Sequence, residues 1–425
     1  MSKPVVGFAG MTHLGLVSAV AAANAGFDVV AFGEPDVIAA IARGELPVLE
    51  PDLPETIAHN RDRLTFTARA DDLGRCDLVY VAVDVPTDDA GASDLAPIHT
   101  IVSRVAPLLK KDAVLVILSQ VPPGFTRELE FAPERLFYQV ETLVFGRAVE
   151  RATRPERFIV GCADPGRPLP ASFAAFLAAF GCPILPMRYE SAELAKISIN
   201  CCLVSSVSVA NTLAELSEAI GADWAEVVPA LKLDRRIGAF AYLNAGLGIA
   251  GGNLERDLRT VIELARARQA DAGVVKAWIA NSAHRKDWVW RALGEEGFAG
   301  SPDAKIAVLG LAYKENTHST KNSPALVLLE HLRMRKVAVH DPAVPSSIVP
   351  WAIGAADPLE AARGADVLVI ATPWPQYRAL QPADLARVMA GRTIIDPYRM
   401  LDGAACAKAG FTYRTLGMPA LRPAA

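Results

Sequence analysis

Apolar residues along the chain fall into short blocks of four or five, each closed by a glycine or a charge. Residues 5–8 form such a block, Gly10 and Gly15 follow, 16–25 is Ala-rich and helical, and 28–32 is a second block. Strand, glycine turn, helix and strand make a βαβ unit, the opening of a dinucleotide-binding sheet. Further strands are predicted at 64–67, 78–83, 114–118 and 158–160, with helical runs between several of them. That alternation predicts a parallel, doubly wound sheet.

From about Glu190 the pattern changes. Residues 191–220 are one helical run almost free of Gly and Pro. At ~1.5 Å per residue it spans roughly 45 Å, too long for one layer of a small domain. It reads as a spine that links two halves and carries an oligomer interface. Helices follow at 224–231, 257–272 and 274–282. A second βα series starts at 305–309, with strands at 337–340, 367–371 and 393–395 and helices at 323–332 and 382–389. The expected fold is α/β: two Rossmann-like doubly wound domains joined by a long helix and a helical middle domain. The expected boundaries are 1–188, 189–295 and 296–425; one large α/β domain is the competing reading. Clefts are expected at the carboxyl ends of the strands, and the second cleft suggests a second, phosphate-bearing ligand.

Composition narrows the function classes. A length of 425 residues is consistent with two or three domains of ~150 residues, and 52% hydrophobic residues supply large cores. With net charge −4 and no long basic run, a nucleic-acid partner is not expected. No unbroken apolar run reaches ~18 residues, so no membrane span is expected. The N-terminus runs straight into a strand and lacks the shape of a cleavable signal. Cys76, Cys162, Cys182, Cys201, Cys202 and Cys406 lack metal-ligand spacing. They read as reduced, mostly buried thiols of a cytoplasmic protein without a metal.

The stretch with the strongest chemical signal is 243–257, LNAGLGIAGGNLERD. Gly246, Gly248, Gly251 and Gly252 let the backbone take positive φ and approach a ligand. Glu255, Arg256 and Asp257 then open a helical run over 258–267. A surface connection is the plain alternative.

Seven motifs occur in a telling order: Gly10 with Gly15; Leu49-Glu50-Pro51 with Leu53; Val121-Pro122-Pro123-Gly124; Arg236-Ile237-Gly238; the glycine loop; Gly310-Leu311-Ala312-Tyr313-Lys314; and Ser323-Pro324-Ala325. Together, over nearly the whole chain, they resemble the UDP-glucose/GDP-mannose dehydrogenase family, closest to its UDP-glucose branch. The resemblance implies an N-terminal domain that binds NAD, a helical middle that makes a homodimer, and a C-terminal domain that binds a UDP-sugar. Family members oxidise the sugar C6 alcohol twice. A thiol captures the intermediate aldehyde as a thiohemiacetal, from which a second hydride leaves to give a thioester.

The resemblance also locates departures. The cysteine of the family's glycine loop is Asn253 here, and an amide is not a nucleophile. The active-site threonine of the family's S-T-V-P-P-G is Gln120. Of two glutamates in P-E-F-L-x-E-G, the first is kept as Glu141 and the second is Phe145, with Leu143 between them. In the cofactor fingerprint, Gly10 and Gly15 are kept but the second glycine is Thr12. The ribose-binding acid is Gly33, with Glu34 one residue later. The loop Val83-Asp84-Val85-Pro86 loses a threonine at Val85, and Lys321 replaces an arginine that faces the cofactor.

The sugar-nucleotide side matches better. Lys196 and Asn200 keep the K-x-x-x-N spacing, one helical turn apart on one face. By resemblance they polarise the reacting oxygen and hold a water, and Asp257 orients that water or accepts a proton. Arg236 matches an arginine that reaches across the dimer, while Tyr242, Gly248 and Lys314 match positions around the sugar nucleotide and its phosphates. The expected activity is NAD-linked transfer of one hydride at a UDP-hexose, stopping at a carbonyl or returning the hydride and so epimerising. The alternatives are a redox-inactive sugar-nucleotide-binding protein and a redirected chemistry such as a lyase.

Overall fold

The computed structural model describes residues 3–86, 93–298 and 300–424. The chain divides into two compact units, Met1–Ile199 and Asn200–Ala425.

The first unit holds eight strands: β1 Val6–Ala9, β2 Val29–Phe32, β3 Leu64–Thr67, β4 Leu78–Val81, β5 Val114–Ile117, β6 Leu136–Gln139, β7 Phe158–Cys162 and β8 Ile184–Arg188. They lie in the order β3-β2-β1-β4-β5-β6-β7-β8. The central strands β1, β2, β4 and β5 are buried at every residue, as a sheet covered on both faces requires. Phe8, Tyr80, Phe173 and Phe176 pack on one face, and Ile98, Val102 and Val105 of the helix Ala96–Val105 on the other.

Two features depart from the sequence-based expectation. β6 and β8 were not foreseen, and β6 pairs antiparallel with β7, Tyr138 opposite Gly161. An antiparallel neighbour needs only a chain reversal, with no crossover over the sheet face. β8 holds Pro186 in mid-strand, which is tolerated because it is the edge of the sheet.

The second unit holds β9 Lys305–Leu309, β10 Lys336–His340, β11 Ile353–Gly354, β12 Val367–Ile370, β13 Thr393–Ile395 and β14 Thr412–Arg414, in the order β11-β10-β9-β12-β13-β14. All these pairings are parallel. Helices Trp224–Leu233, Asn253–Arg268, Gly273–Lys286 and Trp288–Glu295 precede the sheet. The fold is therefore α/β, with two Rossmann-like sheets linked by helices.

The helix Tyr189–Ile220 is 32 residues long. By length and composition it could cross a bilayer, which a search for an unbroken apolar run does not reveal. Its buried polar residues have protein partners: Glu193 accepts two backbone N–H groups, and Asn211 accepts the Gly246 N–H at 2.8 Å. That is the pattern of a helix packed inside a globular protein.

Candidate active site

In the first unit the strand order reverses between β1 and β4, where the crevice at the carboxyl ends of a doubly wound sheet receives its ligand. Gly10 turns the chain there at φ +109°, and a Cβ on Gly15 would lie 1.7 Å from the Gly10 carbonyl oxygen. Both positions therefore require glycine, as the tight turn of a βαβ unit does. Thr12 precedes the helix His13–Asn24 in extended conformation. Its hydroxyl reaches the Ala82 carbonyl at 3.3 Å. Asp84 lies just beyond β4 and is exposed. Val85 is half-buried beside it.

At the end of β2, a Cβ on Gly33 would meet the Met11 side chain at 2.8 Å. An acid does not fit there, and the first carboxylate after β2 is Glu34. It is exposed, at the start of the helix Pro35–Ala42, with Arg104 3.3 Å away. Arg104 in turn lies over the Phe32 ring.

A buried cluster supports the same helix start. His13 Nε2 lies 2.9 Å from Glu50 Oε1, and Glu50 also accepts the N–H groups of Gly146 and Ala148 at 3.0 and 3.2 Å. The His13 ring stacks on Phe145 at 4.2 Å. The aromatic at 145 thus covers the imidazole that the Glu50 carboxylate holds. Glu50→Ala leaves two backbone donors and an imidazole without their acceptor in a closed site. Its expected cost is about 3 kcal/mol or more, measured by urea unfolding, with Glu50→Gln losing less.

Lys196, on the long helix, forms an ion pair with the Glu141 carboxylate and also donates to the Glu141 carbonyl oxygen at 3.1 Å. Glu141 accepts the Leu143 N–H at 2.9 Å, so the 141–143 segment and the lysine position each other. One turn earlier on the helix, buried Glu193 accepts the N–H groups of Gly124 and Thr126 at 2.6 and 2.9 Å. It thereby anchors the Pro-Pro-Gly turn that follows half-buried Gln120. Burial raises the Glu193 carboxyl above the ordinary glutamate range.

In the second unit Asn200 donates its side-chain amide to Asp257, whose other oxygen faces Arg256 Nε at 3.3 Å. Asp257 and Arg256 are both buried. The helix bearing them begins at Asn253, four residues before the expected helix over 257–272, because the Arg256 N–H already bonds the Gly252 carbonyl. Asn253 is exposed in the first turn. Cys201, next to Asn200, packs with Val204, Ile249 and Leu258. Burial, reinforced by Asp257, pushes its thiol up to about 11, so the thiolate fraction at neutral pH is on the order of one in ten thousand.

Gly248 takes φ +83° with the Ser282 carbonyl where a Cβ would go. Asn322, itself at positive φ, donates to the Gly251 carbonyl and to Glu255, and the Lys321 carbonyl accepts the Gly251 N–H. Lys321 is therefore fixed beside the glycine loop. Lys314 follows β9 on the loop at the switch point of the second sheet, its ammonium 5.8 Å from the Tyr313 ring centroid. Arg236 folds back onto Asp234 at the surface, and Tyr242 is exposed. Sequence reading missed Glu193, the His13–Glu50 pair and Asn322. The Leu-Glu-Pro motif was the available signal for Glu50; nothing local marked the others.

Sequence profiles of the UDP-glucose/GDP-mannose dehydrogenase family match this chain three times: the NAD-binding domain over residues 5–168, the central domain over 190–283 and the UDP-binding domain over 307–403. The UDP-glucose 6-dehydrogenase of Pseudomonas aeruginosa is 30% identical, with 96% of each chain covered. That of Rhizobium meliloti is 31% identical, over 96% of this chain and 98% of its own. Among solved structures, a UDP-glucose dehydrogenase from Pyrobaculum islandicum superposes with a TM-score of 0.82 at 26% identity, over 93% of this chain and 94% of the other. With an NAD-binding domain at its start and a UDP-binding domain at its end, the chain belongs to the UDP-glucose/GDP-mannose dehydrogenase family.

Proposed function

We propose that the protein is an NAD-linked nucleotide-sugar oxidoreductase that moves a single hydride at a UDP-hexose and does not complete the four-electron oxidation to the acid. The observation that carries this reading is Asn253 in the first turn of its helix, with Cys201 packed away and protonated. Without a thiolate no thiohemiacetal forms, and a free or hydrated carbonyl is the end of the route.

NAD, when bound, accepts the two electrons of the hydride. The chain's own residues manage the proton and the charge. As the alcohol proton departs, negative charge grows on the sugar oxygen, and the Lys196 ammonium is the group assigned to stabilise it. Asp257, oriented by Asn200, takes the proton directly or through a water. Gly10 and Gly15 seat the pyrophosphate, Glu34 the ribose, and Thr12, Val85 and Lys321 line the cofactor. Leu143, Arg236, Tyr242, Gly248 and Lys314 hold the sugar nucleotide. In this division of labour 1–188 binds the cofactor, 189–295 joins the subunits and 296–425 binds the nucleotide.

Incubation with UDP-glucose and excess NAD tests the reading, with NADH followed by absorbance and products by mass spectrometry. The expected outcome is at most one NADH per sugar, with a carbonyl or epimerised product. Two NADH per sugar with UDP-glucuronate would falsify it. The second reading, sugar-nucleotide binding without turnover, is favoured by Thr12 at the place of the fingerprint's second glycine. Binding of UDP-glucose with neither NADH nor a new sugar would establish it.

Two further results are expected. Lys314→Ala weakens UDP-glucose binding about tenfold or more, the worth of one charge-assisted phosphate contact, and leaves NAD binding unchanged. Calorimetry with both ligands checks this, and equal losses would overturn the assignment. Second, the protein is a homodimer. Val209, Leu213, Leu216 and Ile220 form an exposed apolar stripe on one face of the long helix, and Phe240 is exposed nearby in sequence. A second copy of the chain is the partner that would bury this stripe. Light scattering is expected to give a dimer at micromolar concentration, and Leu213→Asp with Leu216→Asp a monomer.

A further inference from the structure

A cavity of about 60 Å³ lies in the first unit, lined by Ser18 and Ala21 of the helix His13–Asn24. Phe8, Phe158, Phe176 and Phe180 form its walls, Tyr80 and Gln139 supply polar groups, and the segment 140–143 closes one side. None of Gly10, Thr12, Gln120 and Lys196 lines it, so it is separate from the cofactor crevice and the reacting centre. The Tyr80 hydroxyl donates to Gln139 Oε1 at 2.7 Å. The Gln139 amide N–H groups are left with no acceptor among the described residues, on a residue only 8% exposed. A buried donor is rarely left without an acceptor, and the cavity is where one can sit.

The charge at its rim is one-sided. Arg151 and Arg157 line the cavity, and the stretch 147–157 carries Arg147, Arg151, Arg154 and Arg157 against Glu150 and Glu156. We propose that the cavity is a binding site for a small carboxylate with an apolar body. The aromatic walls take the body, and the carboxylate answers both the Gln139 N–H and the surplus of arginine. Size narrows the class. A cavity of ~150 Å³ holds a benzene ring, so this smaller one takes a branched body of about three or four carbons.

The cavity shares a wall with the segment that positions Lys196. Arg151 donates its Nε–H to the Thr142 carbonyl at 3.0 Å and pairs with Glu156 at 3.1 Å. Glu141, one residue before Thr142, pairs with Lys196, and its carboxylate holds the Leu143 N–H. A bound carboxylate that draws Arg151 onto itself takes a donor away from the 141–143 segment, and the partner of Lys196 loosens. Occupancy therefore slows hydride transfer from a place that neither NAD nor the sugar nucleotide fills. This link to turnover rests on the role proposed for Lys196; the binding site itself does not.

The experiment is calorimetric titration of isobutyrate into the full-length protein. Isobutyramide has the same shape without the charge, and acetate has the charge with almost no body. Both are titrated alongside, into the wild type, Gln139→Met and Ala152→Leu. Ala152 lines the cavity from the helix Ala148–Thr153, and leucine there fills it. The expected result is a single site of millimolar affinity for isobutyrate, with both comparison ligands and both variants weaker by about tenfold or more. NADH production from UDP-glucose falls at saturating isobutyrate in the wild type and not in Ala152→Leu. Melting curves report folding; Ala152→Leu carries the test if Gln139→Met, which leaves the Tyr80 hydroxyl without its acceptor, does not fold. No isobutyrate binding, equal binding of isobutyrate and isobutyramide, or unaltered binding in Ala152→Leu overturns the proposal, and the cavity then holds water only. Binding with unchanged NADH production overturns the link to Lys196. Isobutyrate binding in a protein that makes no NADH leaves this site standing and removes the oxidoreductase reading.

Discussion

Lys196→Ala is expected to lower kcat for hydride loss from the sugar by about a thousandfold, with KM changed only a few fold. The lysine is built in with care. Its ammonium pairs with the Glu141 carboxylate and donates to the carbonyl of the same residue, and the Leu143 N–H holds that carboxylate in turn. A helix fixed at both ends of this segment by Glu193 and Lys196 leaves the side chain little freedom. Charge on the reacting oxygen is small in the bound alcohol and large as the hydride leaves. A positioned cation therefore acts mainly on the transition state, and removing one such group costs ~10²–10³ in rate. Lys196→Arg keeps the charge but moves it outward and spreads it over a plane, so a smaller loss is expected. Steady-state kinetics with the family's nucleotide sugar checks both, alongside a melting curve to show that the variants fold. A loss confined to KM would mean that the lysine only binds substrate. A change of less than tenfold in kcat would remove it from the chemistry altogether.

How far the sequence could lead follows from the range of each interaction. The βαβ opening, the long helix and the second βα series are written in periodicity and in glycine positions, which act over a few residues. β1, β2, β3, β5 and β9 lie within about a residue of their expected places for that reason. Pairing direction is different. β6 reads as an apolar block like any other, and nothing within it states that its neighbour β7 runs the opposite way. The early start of the helix at Asn253 was hidden by the glycines before it, which read as loop until the Arg256–Gly252 bond is seen.

The site shows the same division. Lys196 and Asn200 are legible because their spacing is one helical turn. Glu193 was not, because its partners Gly124 and Thr126 lie 69 and 67 residues away. Long-range placement of a polar group leaves no periodic trace.

Asn253→Cys is expected to yield a reactive thiol and still no sugar acid. The first half follows from the local structure. Position 253 is exposed in the first turn of a 16-residue helix, and a thiol at a helix start is acidified by the dipole and the unpaired N–H groups. Peptide mapping should therefore find position 253 alkylated by iodoacetamide at neutral pH far faster than the buried thiols of Cys76 and Cys406, which have been pushed up to about 12, with exposed Cys202 as the reference.

The second half follows from two residues on other segments. A thiolate adds to a carbonyl only when held at roughly 3–3.5 Å in the right direction. By the family resemblance, Gln120 stands where a threonine borders the reacting carbon, and its longer side chain takes up part of that space. Phe145 stands where a glutamate is expected, and its ring is committed to the His13 imidazole at 4.2 Å. An aromatic ring neither holds a water nor accepts its proton, so a thioester formed at position 253 would lack the group that hydrolyses it. The substitution restores the nucleophile and leaves placement and hydrolysis unrepaired. Incubation with UDP-glucose and excess NAD is expected to give no UDP-glucuronate by mass spectrometry, with the sugar nucleotide still bound. A thioester adduct on the intact protein would locate the block at hydrolysis and point to Phe145→Glu as the next change. Two NADH per sugar and free UDP-glucuronate from the single variant would show that the site is still built for four-electron oxidation and lacks only its thiol.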